Sequence, residues 1–201
     1  MSDWLGLLAR QVGTRDPKRF VVAVEGDKKE KRYLEPLQRY GVWMKVLPPE
    51  GHSSPQAVLQ KLNEYRESED WMPGDELWLM VDTDRWPNLL EIRQEAERSG
   101  HNVAISNPCF ELWQWLHFFD LDEEKTGTSC GGYKKALGDE TGGFNYKNIN
   151  SHQKWYPQIP EAIRRAKELP GTHSEPVPQL PGTTVYRLME RVIDNKKHNG
   201  N

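Results

Sequence analysis

The sequence predicts an α/β protein, in which about four parallel strands form a sheet flanked by helices, with a helical extension at the C-terminal end. Short apolar runs rich in β-branched residues alternate with amphipathic helical patterns at a spacing of roughly 25 to 30 residues, which is typical of parallel βαβ units. With 201 residues, 36% of them hydrophobic, the chain is long enough to bury a core of this kind.

The predicted strands of this sheet alternate with the predicted helices as far as residue 106. The first apolar run ends in Glu-Gly, and after it Tyr33, Leu37 and Tyr40 recur at helical spacing until Gly41. Such alternation indicates a doubly wound or Rossmann-like sheet. The predicted strands are RFVVAVEG (19–26), VWMKVLPP (42–49), ELWLMVD (76–82) and NVAIS (102–106), and the predicted helices are DKKEKRYLEPLQRYG (27–41), SPQAVLQKLNEYRES (54–68) and WPNLLEIRQEAERSG (86–100).

The rest of the chain is predicted to be mostly helical. Residues 107–119 (NPCFELWQWLHFF) are too apolar for a surface helix, so they predict a buried helix that begins at Asn107-Pro108, with Asn107 as its cap. Residues 120–150 are Gly-rich and polar, which predicts a long surface loop around at most one short helix. Two further helices are expected at 160–169 and 183–195. The predicted domains are therefore an α/β core at 1–119 and a C-terminal extension, packed on that core, at 120–201.

The net charge, the apolar runs and the cysteines of the sequence limit the classes of function that we expect. The formal net charge is −3, which does not by itself indicate nucleic-acid binding, although residues 145–201 contain nine Lys and Arg against five Asp and Glu. No apolar run approaches the roughly 20 residues of a membrane span, and the N-terminus lacks the pattern of a signal peptide, so we expect a cytoplasmic protein. Cys109 and Cys130 have no metal-ligand or redox spacing and are expected to be free thiols.

Acidic residues follow two of the predicted strands. Glu25-Gly26 ends the first strand, and Asp82 and Asp84 follow the third. Because the carboxyl ends of parallel strands meet at one edge of a sheet, we expect these carboxylates to converge there. Clustered carboxylate oxygens suit Mg²⁺ or Mn²⁺ better than zinc, so the sequence predicts a site for either ion. The alternative is that Asp-x-Asp is only a turn or a helix cap.

The acidic motifs resemble those of the Toprim domain, which has an acidic-Gly motif after its first strand and Asp-x-Asp after a later one. The sequence resembles more closely one Toprim-related family, the RloB-like proteins. Four blocks carry this resemblance, and they span nearly the whole chain: VEGDKKEKRYL from residue 24, VDTDRW at 81–86, SNPCFELWQWLHF at 106–118 and TTVYRLME at 183–190.

The resemblance implies a Toprim-like sheet with a helical C-terminal extension and a divalent-metal site for phosphoryl transfer. By the motif, Glu25 is the general acid/base or a metal ligand, Asp82 and Asp84 are metal ligands, and Glu30 is a further acidic contributor. The family is associated with bacterial restriction and phage defence beside a partner ATPase.

Several other residues are candidates for the same site. Glu111 is expected near the end of the fourth strand, either as a metal-binding carboxylate or as a first-turn Glu favoured by the helix dipole. Ser106 and Asn107 lie at a strand-to-helix junction, where they would cap the helix or bind a substrate phosphate. Trp86 is placed either to stack on a base or to close the core.

Two further sets of residues are weighed against an ordinary structural role. His117, on an apolar helix, is expected to be a hydrogen-bonded core histidine rather than a base. The other candidates are cations, which either bind substrate phosphate, as a phosphate-binding flank of the site, or form an ordinary solvated charged face. They are Lys134, Lys135, Lys147, Lys154, Arg164, Arg165 and Lys167.

The leading functional prediction is a Mg²⁺-dependent nuclease that cleaves DNA or RNA, because metal-bound carboxylates neutralise the charge that develops during phosphodiester cleavage. The alternative is a non-catalytic regulatory subunit that binds nucleic acid or docks onto an ATPase, with a vestigial acidic site. Another metal-dependent phosphotransferase fits the same carboxylates, although the sequence has no Walker-type phosphate loop. A homo-oligomer is compatible with either reading.

Overall fold

The computed structural model describes residues 18–26, 28–51, 53–83, 86–141, 152–174 and 176–199. Five strands form one sheet in the order β2-β1-β3-β4-β5. The strands are β1 (Arg19–Val24), β2 (Trp43–Leu47), β3 (Glu76–Asp82), β4 (Asn102–Asn107) and β5 (Gly182–Thr183). The sheet is mostly parallel and flanked by helices, which confirms the predicted α/β class.

The described residues contain more helices than the sequence predicted. They are α1 (Lys29–Leu34), α2 (Pro55–Glu67), α3 (Leu89–Arg98), α4 (Phe110–Trp115), α5 (Glu123–Thr126), α6 (Cys130–Thr141), α7 (His152–Trp155), α8 (Ile159–Glu168), α9 (Pro170–Ser174) and α10 (Val185–Asn199), with 3₁₀ helices at Glu35–Tyr40 and Tyr156–Gln158. No helix among the described residues is long and apolar enough to cross a bilayer.

Contacts divide the chain into two compact units. The first contains Met1–Met80, Glu91–Val103 and Leu188–Asn201, and the second contains Val81–Leu90 and Ala104–Arg187. In the first unit, Phe20 to Val24 are completely buried, because β1 is hydrogen-bonded in parallel to β2 on one side and to β3 on the other. The core of the second unit is aromatic, and its largest buried side chains include Trp113, Trp115, Tyr133, Trp155 and Tyr156.

The helix predicted at 27–41 is divided in the structure. The α-helical part, α1, ends at Leu34 and continues as a 3₁₀ helix that has Pro36 in its first turn. Proline has no amide hydrogen and its ring crowds the carbonyl four residues earlier, so an α-helix cannot continue unchanged through Pro36. Gly41 ends the segment, as predicted, with a left-handed φ of 78° and an amide that donates to the carbonyl of Gln38.

The helix predicted to begin at Asn107-Pro108 begins later. Asn107 is the last residue of β4, and its side-chain amide donates to the carbonyl of Pro178 at 2.6 Å. The N-cap of α4 is Cys109. The prediction of Asn107 as a cap is therefore wrong, because pairing with β5 keeps the backbone extended as far as Asn107.

The fifth strand was not predicted. β5 pairs antiparallel with β4, with Ser106 opposite Thr183 and Asn107 opposite Gly182. Two residues are too short for any alternating pattern, and the sequence predicted the start of a helix at 183 instead. That helix, α10, begins at Val185.

The prediction of a surface loop after residue 120 is wrong for residues 123–141, while residues 142–151 lie outside the described part of the chain. Asp122 caps α5 by accepting a hydrogen bond from the Lys125 amide at 3.2 Å. The Gly-rich α6 has weak helix propensity, but it buries Tyr133, Ala136 and Leu137 along one side. Tertiary packing rather than propensity stabilises this helix.

Two glycines of α6 are expected to respond in opposite ways to substitution by alanine. A Cβ at Gly132 would overlap the carbonyl oxygen of Thr126, whereas a Cβ at Gly138 would meet nothing within 4 Å. Gly132→Ala should therefore lower the free energy of unfolding by about 1 to 3 kcal/mol. Gly138→Ala should raise it by up to about 1 kcal/mol, because alanine favours a helix.

Chemical denaturation of the two variants against wild type measures this difference. Both changes add one methyl group to the same helix, so each is the control for the other. Equal destabilisation by both would show that α6 is not held against Thr126 as described.

Candidate metal centre

Asp82 lies at the end of a buried strand. Residues 76–81 of β3 are buried, and Asp82 is its last residue and is half-buried. The amide of Thr83, the next residue, donates to the carbonyl of Ser106 in β4 at 3.0 Å. The predicted partner Asp84 lies outside the described residues.

Two more side chains come from the turn between β4 and α4. Cys109 has an extended backbone (φ −162°, ψ 173°) and is the N-cap residue, but its sulfur makes no capping hydrogen bond. Glu111 is in the first turn of α4, where the helix dipole favours a negative charge. Both side chains are almost completely buried, at 2% and 1% exposure.

Asp82, Cys109 and Glu111 form the candidate metal centre of the second unit. One donor atom from each, two carboxylate oxygens and a sulfur, lie within 4.8 Å of one another. Ligands on opposite sides of a divalent ion are about 4.2 to 4.6 Å apart, because metal–oxygen and metal–sulfur bonds are about 2.1 and 2.3 Å long. The three donor atoms are thus close enough together for one ion to contact all of them.

The structure agrees with both interpretations of Glu111, since this residue is in the first helical turn and also close to Asp82. Cys109, by contrast, was missed. The signal was present in Asn-Pro-Cys-Phe-Glu, which places Cys109 two residues before Glu111. Cys109 has no metal-ligand spacing relative to Cys130, and for this reason the sequence did not predict it as a ligand.

Among the described residues, the ammonium of Lys134 and the thiol of Cys130 lie close to the centre. The ammonium of Lys134 lies 3.9 Å from the Glu111 carboxylate, and its side chain is 51% exposed. The pKa of the Cys109 thiol is raised, first by its hydrogen bond with Cys130, then by burial and by the negative charges of Glu111 and Asp82. Neither cysteine forms a disulfide, as predicted.

The predicted acids Glu25 and Glu30 belong to the first unit. Glu25 follows β1 directly and is half-buried, and its amide donates to the carbonyl of Met80 at 3.3 Å. Glu30 is 6% exposed, and its carboxylate packs so closely on Gly26 that a Cβ there would overlap it. A side chain at position 26 would therefore have to displace the Glu30 carboxylate, which lies beside the residue that follows Glu25.

Ser106 and Asn107 are held by β5 rather than by a helix N-terminus. The Ser106 hydroxyl is 2.9 Å from the Thr183 hydroxyl, and the hydroxyl of Thr172 accepts from the Thr183 amide at 3.1 Å. The hydroxyl of Thr184 accepts from the Ile105 amide at 2.8 Å. Ser106 is completely buried, so its observed contacts are structural.

Three other candidate residues, Trp86, Lys135 and His117, differ in how far they are exposed to solvent. Trp86 is half-buried and Lys135 is exposed. His117 is a core histidine, as predicted: it is 1% exposed, its Nδ1 donates to the Trp113 carbonyl at 2.9 Å, and its ring centroid lies 5.0 Å from those of Trp113 and Trp155.

The cations of the predicted phosphate-binding flank are largely paired. Arg164 is bound to Glu161 and Glu168, and Arg165 is bound to Asp120 at 2.8 Å. Lys167 lies over the Tyr186 ring, 5.5 Å from its centroid. Lys154 is exposed, and Lys147 lies outside the described residues.

Comparison with known proteins decides the family. The RloB-like protein family matches residues 20–192. The chain belongs to the RloB-like family. No curated protein and no solved structure matched it.

Two of the four RloB-like sequence blocks contact each other in the second unit. The block at 106–118 supplies Ser106, Cys109 and Glu111, and the block at 183–190 begins with the threonines that bind the end of β4. The short strand β5 therefore fixes the backbone immediately before Cys109 and Glu111. The first residues of the block 183–190 thus bind the backbone that leads into the candidate metal centre.

Proposed function

We propose that this RloB-like protein is a divalent-metal-dependent nuclease that cleaves phosphodiester bonds in DNA or RNA, in bacterial defence beside a partner ATPase. The observation that carries the proposal is the group of Asp82, Cys109 and Glu111, whose donor atoms lie within 4.8 Å of one another. Family membership adds the expected reaction class, because the resemblance implies phosphoryl transfer.

The donor set fits a hard divalent ion through its two carboxylates. Glu111 is 1% exposed, and one of its oxygens lies within 4.8 Å of an oxygen of the half-buried Asp82. Two carboxylates so close repel each other, and a divalent cation bound between them would offset that repulsion. The ammonium of Lys134 lies 3.9 Å from Glu111, and its side chain is half exposed to solvent. Asp82 and Glu111 would hold Mg²⁺ or Mn²⁺.

A bound divalent ion would neutralise charge on the phosphate and lower the pKa of a water molecule. The protein's own residues would do the rest. Asp82 and Glu111 would hold the cation, and the hydroxyls of Thr183 and Thr184 bind the end of β4, which precedes the segment that carries Glu111. The ammonium of Lys134 and that of its neighbour Lys135 are available to a phosphate oxygen from solvent.

Glu25 and Glu30 enter the proposal through their sequence motif. The motif assigns Glu25 the role of general acid/base or metal ligand and Glu30 that of an additional acid, and these roles rest on the motif alone. Asp84 is proposed as a further ligand. Trp86 is proposed to stack on a base of the substrate. Ser106 and Asn107 remain predicted substrate contacts through their backbone position only, because their side chains are bound to β5 and Pro178.

The test is a cleavage assay on duplex DNA, single-stranded DNA and structured RNA, with Mg²⁺ or Mn²⁺ and with EDTA. The expected result is cleavage of one of these substrates that requires the metal. Cleavage unaffected by EDTA would contradict the proposal.

The regulatory-subunit alternative has one observation in its favour. The pairing of Arg164 and Arg165 with carboxylates reduces the positive potential on α8 that nucleic acid would need. Binding of the metal without cleavage of any substrate would favour this alternative.

A further inference from the structure

The candidate metal centre contains a donor that a magnesium site does not use. Mg²⁺ takes oxygen ligands almost exclusively, in strict octahedral geometry, whereas thiolate sulfur binds transition-metal ions. Cys109 Sγ lies within 4.8 Å of one carboxylate oxygen of Asp82 and one of Glu111, so any ion held between these carboxylates would be near the sulfur.

The position of this sulfur is fixed by the backbone. Cys109 is 2% exposed and follows the end of β4, where Ser106 and Asn107 are paired with Thr183 and Gly182. Residue 109 is also the N-cap of α4, a position at which Ser, Thr, Asp and Asn normally cap the helix through an oxygen. The side chain here makes no capping hydrogen bond. Its sulfur is hydrogen-bonded to Cys130 and lies within 4.8 Å of a carboxylate oxygen of both Asp82 and Glu111.

We infer that Cys109 determines the metal specificity of this site, as a sulfur ligand that favours divalent transition-metal ions, Mn²⁺ among them, over Mg²⁺. This inference rests on the proposed function, because it assigns the metal of the same site. The ion would be held by one oxygen of Asp82 at the end of β3, the sulfur of Cys109 in the β4–α4 turn and one oxygen of Glu111 in the first turn of α4.

Cobalt(II) is the probe for this inference, because Co²⁺ bonded to a thiolate gives an intense charge-transfer band in the near ultraviolet and Co²⁺ bonded to oxygen alone does not. Wild-type protein, Cys109→Ser and Cys130→Ser are titrated with Co²⁺ by absorbance, and with Mg²⁺ and Mn²⁺ by calorimetry. Cys130→Ser is the comparison variant, because Cys130 is the other cysteine of the chain, is hydrogen-bonded to Cys109 and is not in the group of three.

The expected result is a charge-transfer band in wild type and in Cys130→Ser that is absent from Cys109→Ser. The Co²⁺ affinity of Cys109→Ser should fall by about tenfold or more, and its Mg²⁺ affinity by much less, because serine keeps an oxygen at the same position.

The outcomes separate the two proposals. Binding of Co²⁺ without the band in wild type, or a band that persists in Cys109→Ser, overturns the role of Cys109 and leaves the metal site standing. Failure of wild type to bind Co²⁺, Mn²⁺ or Mg²⁺ overturns the metal site together with this inference. The wild-type spectrum decides the question even if a variant folds poorly.

Discussion

Asp82→Asn is expected to lower the rate of metal-dependent cleavage by about a hundredfold, because metal-derived stabilisation of the transition state is worth several kcal/mol. Asparagine has nearly the same shape as aspartate but lacks the charge that holds the cation. Asp82 is the half-buried last residue of β3, so the strand itself should be unaffected. The rate is measured at saturating substrate with Mg²⁺ and with Mn²⁺.

Glu124→Gln is the matched control for this prediction. Glu124 is an exposed acid in the first turn of α5, in the same unit as Asp82, and it is not part of the group of three. Its substitution removes the same charge and should leave the rate unchanged. Equal rates for wild type and Asp82→Asn would contradict the assignment of the site.

The free energy of unfolding is expected to decrease steeply as the pH falls below about 6.5. Two buried histidines cause this. Burial lowers the pKa of His117 to about 3, and burial together with nearby Arg66 lowers that of His101 to about 4. Both pKa values lie below the unfolded value, so below about pH 6.5 the unfolded chain binds protons that the folded chain does not.

The size of this pH dependence follows from proton linkage. Each histidine contributes a slope of up to about 1.4 kcal/mol per pH unit, so the loss reaches several kcal/mol by pH 4 to 5. Stability from His101 is lost down to about pH 4 and that from His117 down to about pH 3. Urea denaturation between pH 4.5 and 7.5 measures the slope.

His117→Gln should reduce the slope by about half, whatever its effect on stability at pH 7. The Gln amide can still donate to the Trp113 carbonyl that His117 Nδ1 now binds. His173→Gln is the control, because His173 is exposed. An unchanged slope in His117→Gln would show that His117 is protonated in the folded protein.

The parallel strands could be predicted from the sequence because burial on both faces leaves a continuous apolar run in each. β1 and β3 are such runs, and their observed bounds lie within the predicted ones. The acid at the end of β3 could be predicted for the same reason, since a charge directly after a buried run marks the edge of the sheet.

The elements that the sequence could not predict depend on contacts that are distant along the chain. β5 has two residues and exists only because Thr183 and Gly182 pair with Ser106 and Asn107. The same pairing moved the start of α4 away from Asn107. The Gly-rich α6 is a helix because Tyr133, Ala136 and Leu137 find a core to bury in, which no local pattern shows.

Of the candidate site, Asp82 and Glu111 were predicted from the sequence and Cys109 was not. Glu111 stood out because a charge in an apolar helix requires an explanation. A buried cysteine is common in an apolar core, so the sequence did not mark Cys109 as a ligand. In the structure, its sulfur lies within 4.8 Å of a carboxylate oxygen of both Asp82 and Glu111.

The most direct test of the central claim is a crystal structure of the protein soaked with Mn²⁺, with anomalous scattering recorded to locate the ion. We expect one strong anomalous peak bonded to carboxylate oxygens of both Asp82 and Glu111, at about 2.1 to 2.3 Å. A peak elsewhere in the molecule, or no peak at a saturating Mn²⁺ concentration, would contradict the claim that these residues form a metal centre.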